Sequence, residues 1–181
     1  MRELSLNVLD IAQNSIAAAA TLIEIELKQS NEENSLLIGI YDNGKGMTKQ
    51  QLEAVRDPFF TTRTTRKVGM GIPLFKMAAE MTGGHLEIES EKGKGTRVKA
   101  FFRTDHLDFV PIGDMTSTVV TLLTMNEAID FIYTRSLGTR VFTLDTRVLR
   151  EILEGVPFSE PSVTAWLKDY INEHTKQLSE V

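Results

Sequence analysis

The chain contains no cysteine, which excludes disulfides, thiol catalysis and any cysteine-ligated metal. Its three histidines, His85, His106 and His174, are far apart and do not read as a metal site. There is no basic excess. The formal net charge is -5, so nothing in the composition points to nucleic acid. No apolar run approaches the roughly 18 to 20 residues of a membrane span. The start, Met1-Arg2-Glu3-Leu4-Ser5, carries an acid early and has no long apolar core of a leader. Internal repeats and low-complexity tracts are also lacking. We expect a cytoplasmic globular protein with neither a membrane nor a nucleic-acid partner. Its 181 residues suffice for one domain and a small appendage.

What is present reads as alternating helices and strands. Leu4 to Ala20 has helical spacing, with Val8, Ile11, Ala12, Ser15 and Ala19 on one face. Asp10, Asn14 and Ala18, each four apart, stack in line on a neighbouring face. The same polar pair also fits the wet side of an amphipathic helix. Thr21 to Gln29 alternates as a half-buried strand, and Leu36 to Tyr41 is a more buried one. The polar turn Ser30 to Ser35 makes the two a hairpin. Thr48 caps a short helix, Lys49 to Val55. Asp57 to Lys67 has no clear periodicity, and Phe59 and Phe60 at its start read as packing anchors. Pro73 fits the first turn of a helix through Leu74, Met77, Ala78 and Met81, which Gly83-Gly84 ends. Two strands follow, His85 to Glu89 and Thr96 to Phe102.

Beyond Arg103 the pattern changes. Thr104 to Gly113 reads as a connection, followed by a helix over Met115 to Thr124 capped by Asp114. A hairpin of Ile129 to Thr134 and Arg140 to Leu144 comes next, then helices over Val148 to Leu153 and Glu160 to His174, with Trp166 as core. We therefore expect residues 1–103 as one domain and 104–181 as a small α+β extension packed on it, too short for an independent core.

Four clusters sit at element ends or on one helix face: Asp10/Asn14, Asp42-Asn43-Gly44-Lys45-Gly46-Met47, the basic loop ending in Gly69-Met70-Gly71, and Gly93-Lys94-Gly95-Thr96. Asp-Asn-Gly by itself is ordinary turn chemistry. A nucleotide would unite all four. Asp42 would accept from the exocyclic amine of adenine, Gly44 and Gly46 would permit close approach, and Thr96 would add a hydroxyl. Gly69 and Gly71 open a helix whose N–H groups face phosphates. Arg63, Arg66 and Lys67 lie within reach of terminal phosphate charge, or form a solvated loop. Asn14 offers a neutral oxygen to magnesium. Asp10 can accept a proton from an attacking water, or only help to solvate the metal.

These boxes resemble the GHKL ATPase superfamily: Asp10 to Ser15, Asp42 to Met47, Asp57-Pro58-Phe59-Phe60-Thr61-Thr62-Arg63, Gly69-Met70-Gly71 and Gly93-Lys94-Gly95-Thr96, in order over about residues 4 to 103. The resemblance implies the Bergerat fold, an α/β two-layer sandwich of a mixed sheet backed by helices. It implies ATP with Mg2+ and a lid between the glycine boxes. It also implies nucleotide contacts from Asn14, Ala18, Asp42, Gly44, Gly46, Met47, Phe60, Thr61, Thr62, Arg63, Arg66, Lys67, Gly69, Met70, Gly71, Ile72 and Thr96. The region from Asp57 to Gly71 and Gly83 to Ser90 is similar to histidine kinases, and the first helix to mismatch-repair ATPases. The latter carry a glutamate base where Asp10 stands; aspartate is one methylene shorter. Gln13 cannot serve as a base, and Pro73 replaces a frequent third glycine.

The expectation is a stand-alone Mg-ATP-binding protein, a regulatory kinase or ATPase switch acting on a protein partner. A catalytic half of a split histidine kinase and a non-catalytic ATP sensor remain open. So does the part played by residues 104–181: partner docking, homodimerisation or a cover on the sheet.

Overall fold

The computed structural model describes residues 3–56 and 70–180. Among them the elements run α1 (Leu4–Ala17), β1 (Leu22–Ser30), β2 (Ser35–Asp42), α2 (Lys49–Arg56), α3 (Gly71–Met81), β3 (His85–Glu91), β4 (Gly95–Arg103), α4 (Met115–Met125), β5 (Asp130–Leu137), β6 (Arg140–Asp145), α5 (Thr146–Leu153) and α6 (Pro161–Ser179). The strands form one mixed sheet in the order β3-β4-β2-β1-β5-β6. All neighbours are antiparallel except β1 and β5, which run parallel from Leu22↔Asp130 onward. This is the α/β architecture the sequence leads one to expect.

Alternation decides the faces. Ile23, Ile25 and Leu27 of β1, Leu36, Ile38 and Ile40 of β2, and Val98, Ala100 and Phe102 of β4 are all buried. They meet Leu4, Val8, Ile11 and Ala12 of α1 and Phe75 and Ala79 of α3 in one core. Each such Leu or Ile contributes about 1.5–3 kcal/mol relative to its exposed state. The opposite face carries Glu24, Tyr41, Arg97 and Glu89 in one cross-strand row.

Residues 104–180 continue the same sheet and the same core. Phe131, Tyr133, Phe142, Leu144, Leu167 and Ile171 join the cluster. The connection after β4 reaches back to the start of α1, where Leu4 N–H donates to Pro111 O (3.0 Å) and Ser5 N–H to Ile112 O (2.8 Å).

Two local expectations need correcting. The first helix stops at Ala17, not Ala20. Ala19 takes a left-handed φ of 57°, against its own preference, because the chain must reverse into β1. Trp166 is not core. It is 42% exposed and stacks on Tyr170 at 4.9 Å, because Val163, Leu167 and Ile171 take the inward positions of α6.

Candidate nucleotide-binding site

The polar stripe of α1 lies between two clusters that sequence separates. At one end is Gly71, the first residue of α3. A Cβ built on it would stand 3.1 Å from the Asp10 Cβ, so glycine lets α3 start directly against α1. At the other end is the loop after β2. The Ser15 hydroxyl donates to Asp42 Oδ2 (2.6 Å), and Gly44 N–H donates to Asp42 Oδ1 (2.9 Å). Both carboxylate oxygens are thus oriented, yet each keeps acceptor capacity for a further donor. Ala18, at the C-cap of α1, supports this loop from below. Its carbonyl accepts from Lys45 N–H (2.9 Å), and a Cβ on Gly44 would press on it at 2.8 Å. Asn14 is half-buried between the two ends, and its carbonyl accepts from Ala18 N–H (2.9 Å).

The third cluster closes on the Asp42 loop through the sheet. Asp42 pairs with Thr96 in register. Gly95, at φ 103°, lies against the Asp42 carbonyl, where a side chain would overlap it. Gly46, at φ 62°, is held against the Glu91 carbonyl in the same way. The glycine at 46 therefore answers to the protein's own packing. Met47 N–H donates to Ser90 Oγ (2.9 Å), which also contacts Thr96 Oγ1 (2.9 Å) and donates to Gly95 O (2.9 Å).

Of the residues expected in the site, the structure gathers Asp10, Asn14, Ala18, Asp42, Gly44, Gly46, Met47, Gly71 and Thr96 along α1 and the adjacent strand ends. Met70 caps α3 and is 70% exposed. The Ile72 side chain is buried in the core, so it can offer only its first-turn N–H. Phe60, Thr61, Thr62, Arg63, Arg66, Lys67 and Gly69 lie outside the described residues.

Four polar residues were not assigned roles from sequence. Ser15 and Ser90 occupy inward positions among Ile11 and Ile88, and a serine at a core position is the signal that could have found them. Asn43 clips the loop to β1: its Oδ1 accepts from Thr21 N–H and Leu22 N–H (both 2.9 Å). Asn7 lies on the buried side of α1, and its Nδ2 has no partner among the described residues.

A hollow of about 440 Å³ opens at the same strand ends, lined by Glu24, Tyr41 and Arg97 and also by Asp42, Asn43 and Thr96. Tyr41 donates there to Glu26 Oε2 (3.1 Å); burial, then the Glu26 charge and this hydrogen bond, push its pKa up to about 12.

A sequence model of the histidine kinase-, DNA gyrase B- and HSP90-like ATPases matches residues 1–106. The chain belongs to this ATPase family. Its ATP-binding domain is similar to those of histidine kinases. It is 29% identical over 103 residues to a putative sensor protein of Shewanella frigidimarina, covering 56% of this chain and 15% of that protein. It is 32% identical over 90 residues to the sensor histidine kinase ZraS of Escherichia coli O157:H7, covering 50% and 19%. With sporulation kinase E of Bacillus subtilis it shares 37% over 65 residues, covering 36% and 9%. The chain thus spans less than a fifth of these relatives' length. Among solved structures, the N-terminal domain of a DNA repair protein matches with a TM-score of 0.54 at 17% identity, covering 80% of this chain and 53% of that one. At that identity the likeness is one of fold. It covers more of this chain than residues 1–106 can supply.

Proposed function

We propose that this chain binds Mg-ATP between α1 and α3 and acts as a cytoplasmic regulatory kinase or ATPase switch on a protein partner. The observation that carries it is the α1 stripe, which has the oriented Asp42 carboxylate at one end and the Asp10–Gly71 contact at the other. Asp42 accepts from the exocyclic amine of adenine, a donor that its two oriented oxygens still have room for. The first-turn N–H groups of α3, at Gly71 and Ile72, and the helix dipole meet the phosphates. Asn14, half-buried between the two ends, supplies a hard neutral oxygen that suits magnesium, an ion that keeps waters and phosphate oxygens in the rest of its shell. The metal, when bound, would neutralise phosphate charge. Asp10, exposed beside Gly71, accepts the proton of the attacking water or partner hydroxyl. Arg63, Arg66 and Lys67 would add phosphate contacts from the lid between the glycine boxes. Residues 1–103 are then the nucleotide-binding unit, and 104–181 its C-terminal extension.

What supports a protein partner is the outer surface of α3. Met70, Leu74, Met77 and Met81 fall at i, i+4, i+7 and i+11, and the three methionines are 70%, 51% and 52% exposed. Flexible, polarizable methionines suit an adaptable apolar contact, and this stripe starts at the phosphate end of the site. Similarity to sensor histidine kinases favours a second reading, in which the chain transfers phosphate to a histidine on a separate protein.

The test is incubation with labelled ATP and candidate partners. Label in an acid-stable protein adduct supports the first reading, and label in an acid-labile adduct the second. Release as inorganic phosphate supports an ATPase switch. Binding without release or transfer leaves a sensor and overturns the enzymatic reading.

A further inference from the structure

The C-terminal extension touches the proposed adenine site through a continuous series of hydrogen bonds. Asn43, next to Asp42, makes three side-chain hydrogen bonds to the start of β1, two to Thr21 and one to Leu22. Its Oδ1 accepts from Thr21 N–H and Leu22 N–H, and its Nδ2 donates to Thr21 Oγ1 (2.9 Å). Thr21 is held from the other side by the extension, because Asp130 N–H donates to Thr21 O (2.9 Å) at the point where β5 joins β1. The Asp130 side chain in turn accepts from Arg150 of α5. The same guanidinium donates to Glu127 O (2.9 Å) and Ile129 O (2.8 Å), and lies 5.5 Å from the centre of the Phe158 ring. The Glu127 carboxylate accepts from Phe158 N–H (3.1 Å) and Ser159 N–H (2.8 Å), just before α6. One arginine, in the last turn of α5, therefore ties that helix to the loop ahead of β5 and to the approach to α6, and the anchored end of that loop is the end that holds Thr21.

From this we infer that Arg150 is a positioning residue for nucleotide recognition. Acting through Asp130, Thr21 and Asn43, it fixes the loop that aims Asp42, so that residues 104–181 set the selectivity of the site. The inference rests on Asp42 as the adenine acceptor. An arginine suits the place because its rigid planar fork holds donors in fixed directions toward Asp130, Glu127 O and Ile129 O while its face lies over Phe158, whereas a lysine offers a compact point charge. Asn43 suits its own place because an amide can accept twice and donate in the same plane.

The experiment uses the full chain and compares the dissociation constants of ATP and inosine triphosphate, which lacks the 6-amino donor. Asp42→Ala should bind the two alike; if it keeps the wild-type preference, the Asp42 reading fails, whatever Arg150 does. Arg150→Met and Asn43→Ala should each lower the preference for ATP by about five- to tenfold, and the double variant should lose little more than either single one. Asn43→Asp, which keeps the acceptor, should recover part of the loss. A purely structural role would weaken both nucleotides equally, and an unchanged ratio in Arg150→Met overturns the inference. If Arg150→Met does not fold, Asp130→Asn and Arg150→Lys probe the same link with milder changes, and a wild-type ratio in both overturns it equally.

Discussion

Ser15 and Asp42, 27 residues apart in sequence, are joined by a 2.6 Å hydrogen bond from hydroxyl to carboxylate. The serine is buried and the aspartate half-buried, so the bond holds Asp42 in one orientation rather than merely decorating the surface. Ser15→Ala should weaken ATP binding by about 1 kcal/mol, five- to tenfold in Kd, because Gly44 still holds the other oxygen. Asp42→Ala should weaken it by about 100-fold or more, since the ligand's donor is then left unpaired. Calorimetric titration with ATP checks both. Equal affinities for Asp42→Ala and wild type would remove Asp42 from the site.

Much of this arrangement is legible in sequence, for local reasons. The period of α1, the alternation of β1 and the capping serines and threonines act over a few residues. Thr48 and Gln51 illustrate the last of these, exchanging bonds at 2.9 and 3.2 Å at the start of α2. Asp42 stands out because a carboxylate at a strand end before two glycines is a chemical pattern. The partnership with Ser15 does not stand out, because no local rule pairs residues 27 apart. The same holds for β5 lying along β1. A parallel neighbour is reached by a long crossover, so the strand's own sequence does not specify its partner. Ala18 to Ala20 mislead for the opposite reason: their helix propensity is real, but the Lys45 bond to Ala18 and the turn into β1 override it.

Gly46 and Gly93 are both glycines of positive φ, at 62° and 84°, but their surroundings differ. A Cβ on Gly46 would overlap the Glu91 carbonyl, whereas one on Gly93 would meet nothing within 4 Å. Gly93→Ala should therefore cost about 1 kcal/mol, for left-handed backbone alone. Gly46→Ala should cost about 3 kcal/mol or more, since backbone must also move. Urea unfolding of the two variants gives the comparison directly. Equal losses would show that the Glu91 contact yields easily.

Tyr41 ties stability to alkaline pH. Its folded pKa of about 12 lies above the ordinary phenol value near 10. The folded state therefore holds this proton more tightly than the unfolded one, and stability falls as pH rises from 10 through 12. Below pH 10 the contribution is fully present. The ring is only half-buried, so after solvent screening the effect should be about 1 kcal/mol. Tyr41→Phe removes the titrating group. The stability gap between wild type and Tyr41→Phe should narrow by that amount between about pH 9 and pH 12. A gap that stays constant in urea midpoints would count against the assignment.

Asp10 is where the chemistry of the proposed site can be separated from its binding. It is exposed on α1, one turn from Asn14, and its Cβ abuts the backbone of Gly71. If it accepts a proton in the transition state, Asp10→Asn should lower phosphate release or transfer by about 10²- to 10⁴-fold. ATP affinity should hardly change, because an amide of the same shape leaves the binding groups in place. Asp10→Glu, which extends the reach of the carboxylate, should keep turnover. Gly71→Ala is the independent lever. A methyl group 3.1 Å from the Asp10 Cβ is tighter than ordinary van der Waals contact, so either Asp10 or the start of α3 must shift. That shift should lower turnover in the same direction as Asp10→Asn, with a smaller effect. Single-turnover kinetics at saturating ATP isolates this step from binding. Wild-type turnover in Asp10→Asn would leave Asp10 a solvated face of α1, and the reduced rate of Gly71→Ala would then have to come from the phosphate-facing N–H groups alone.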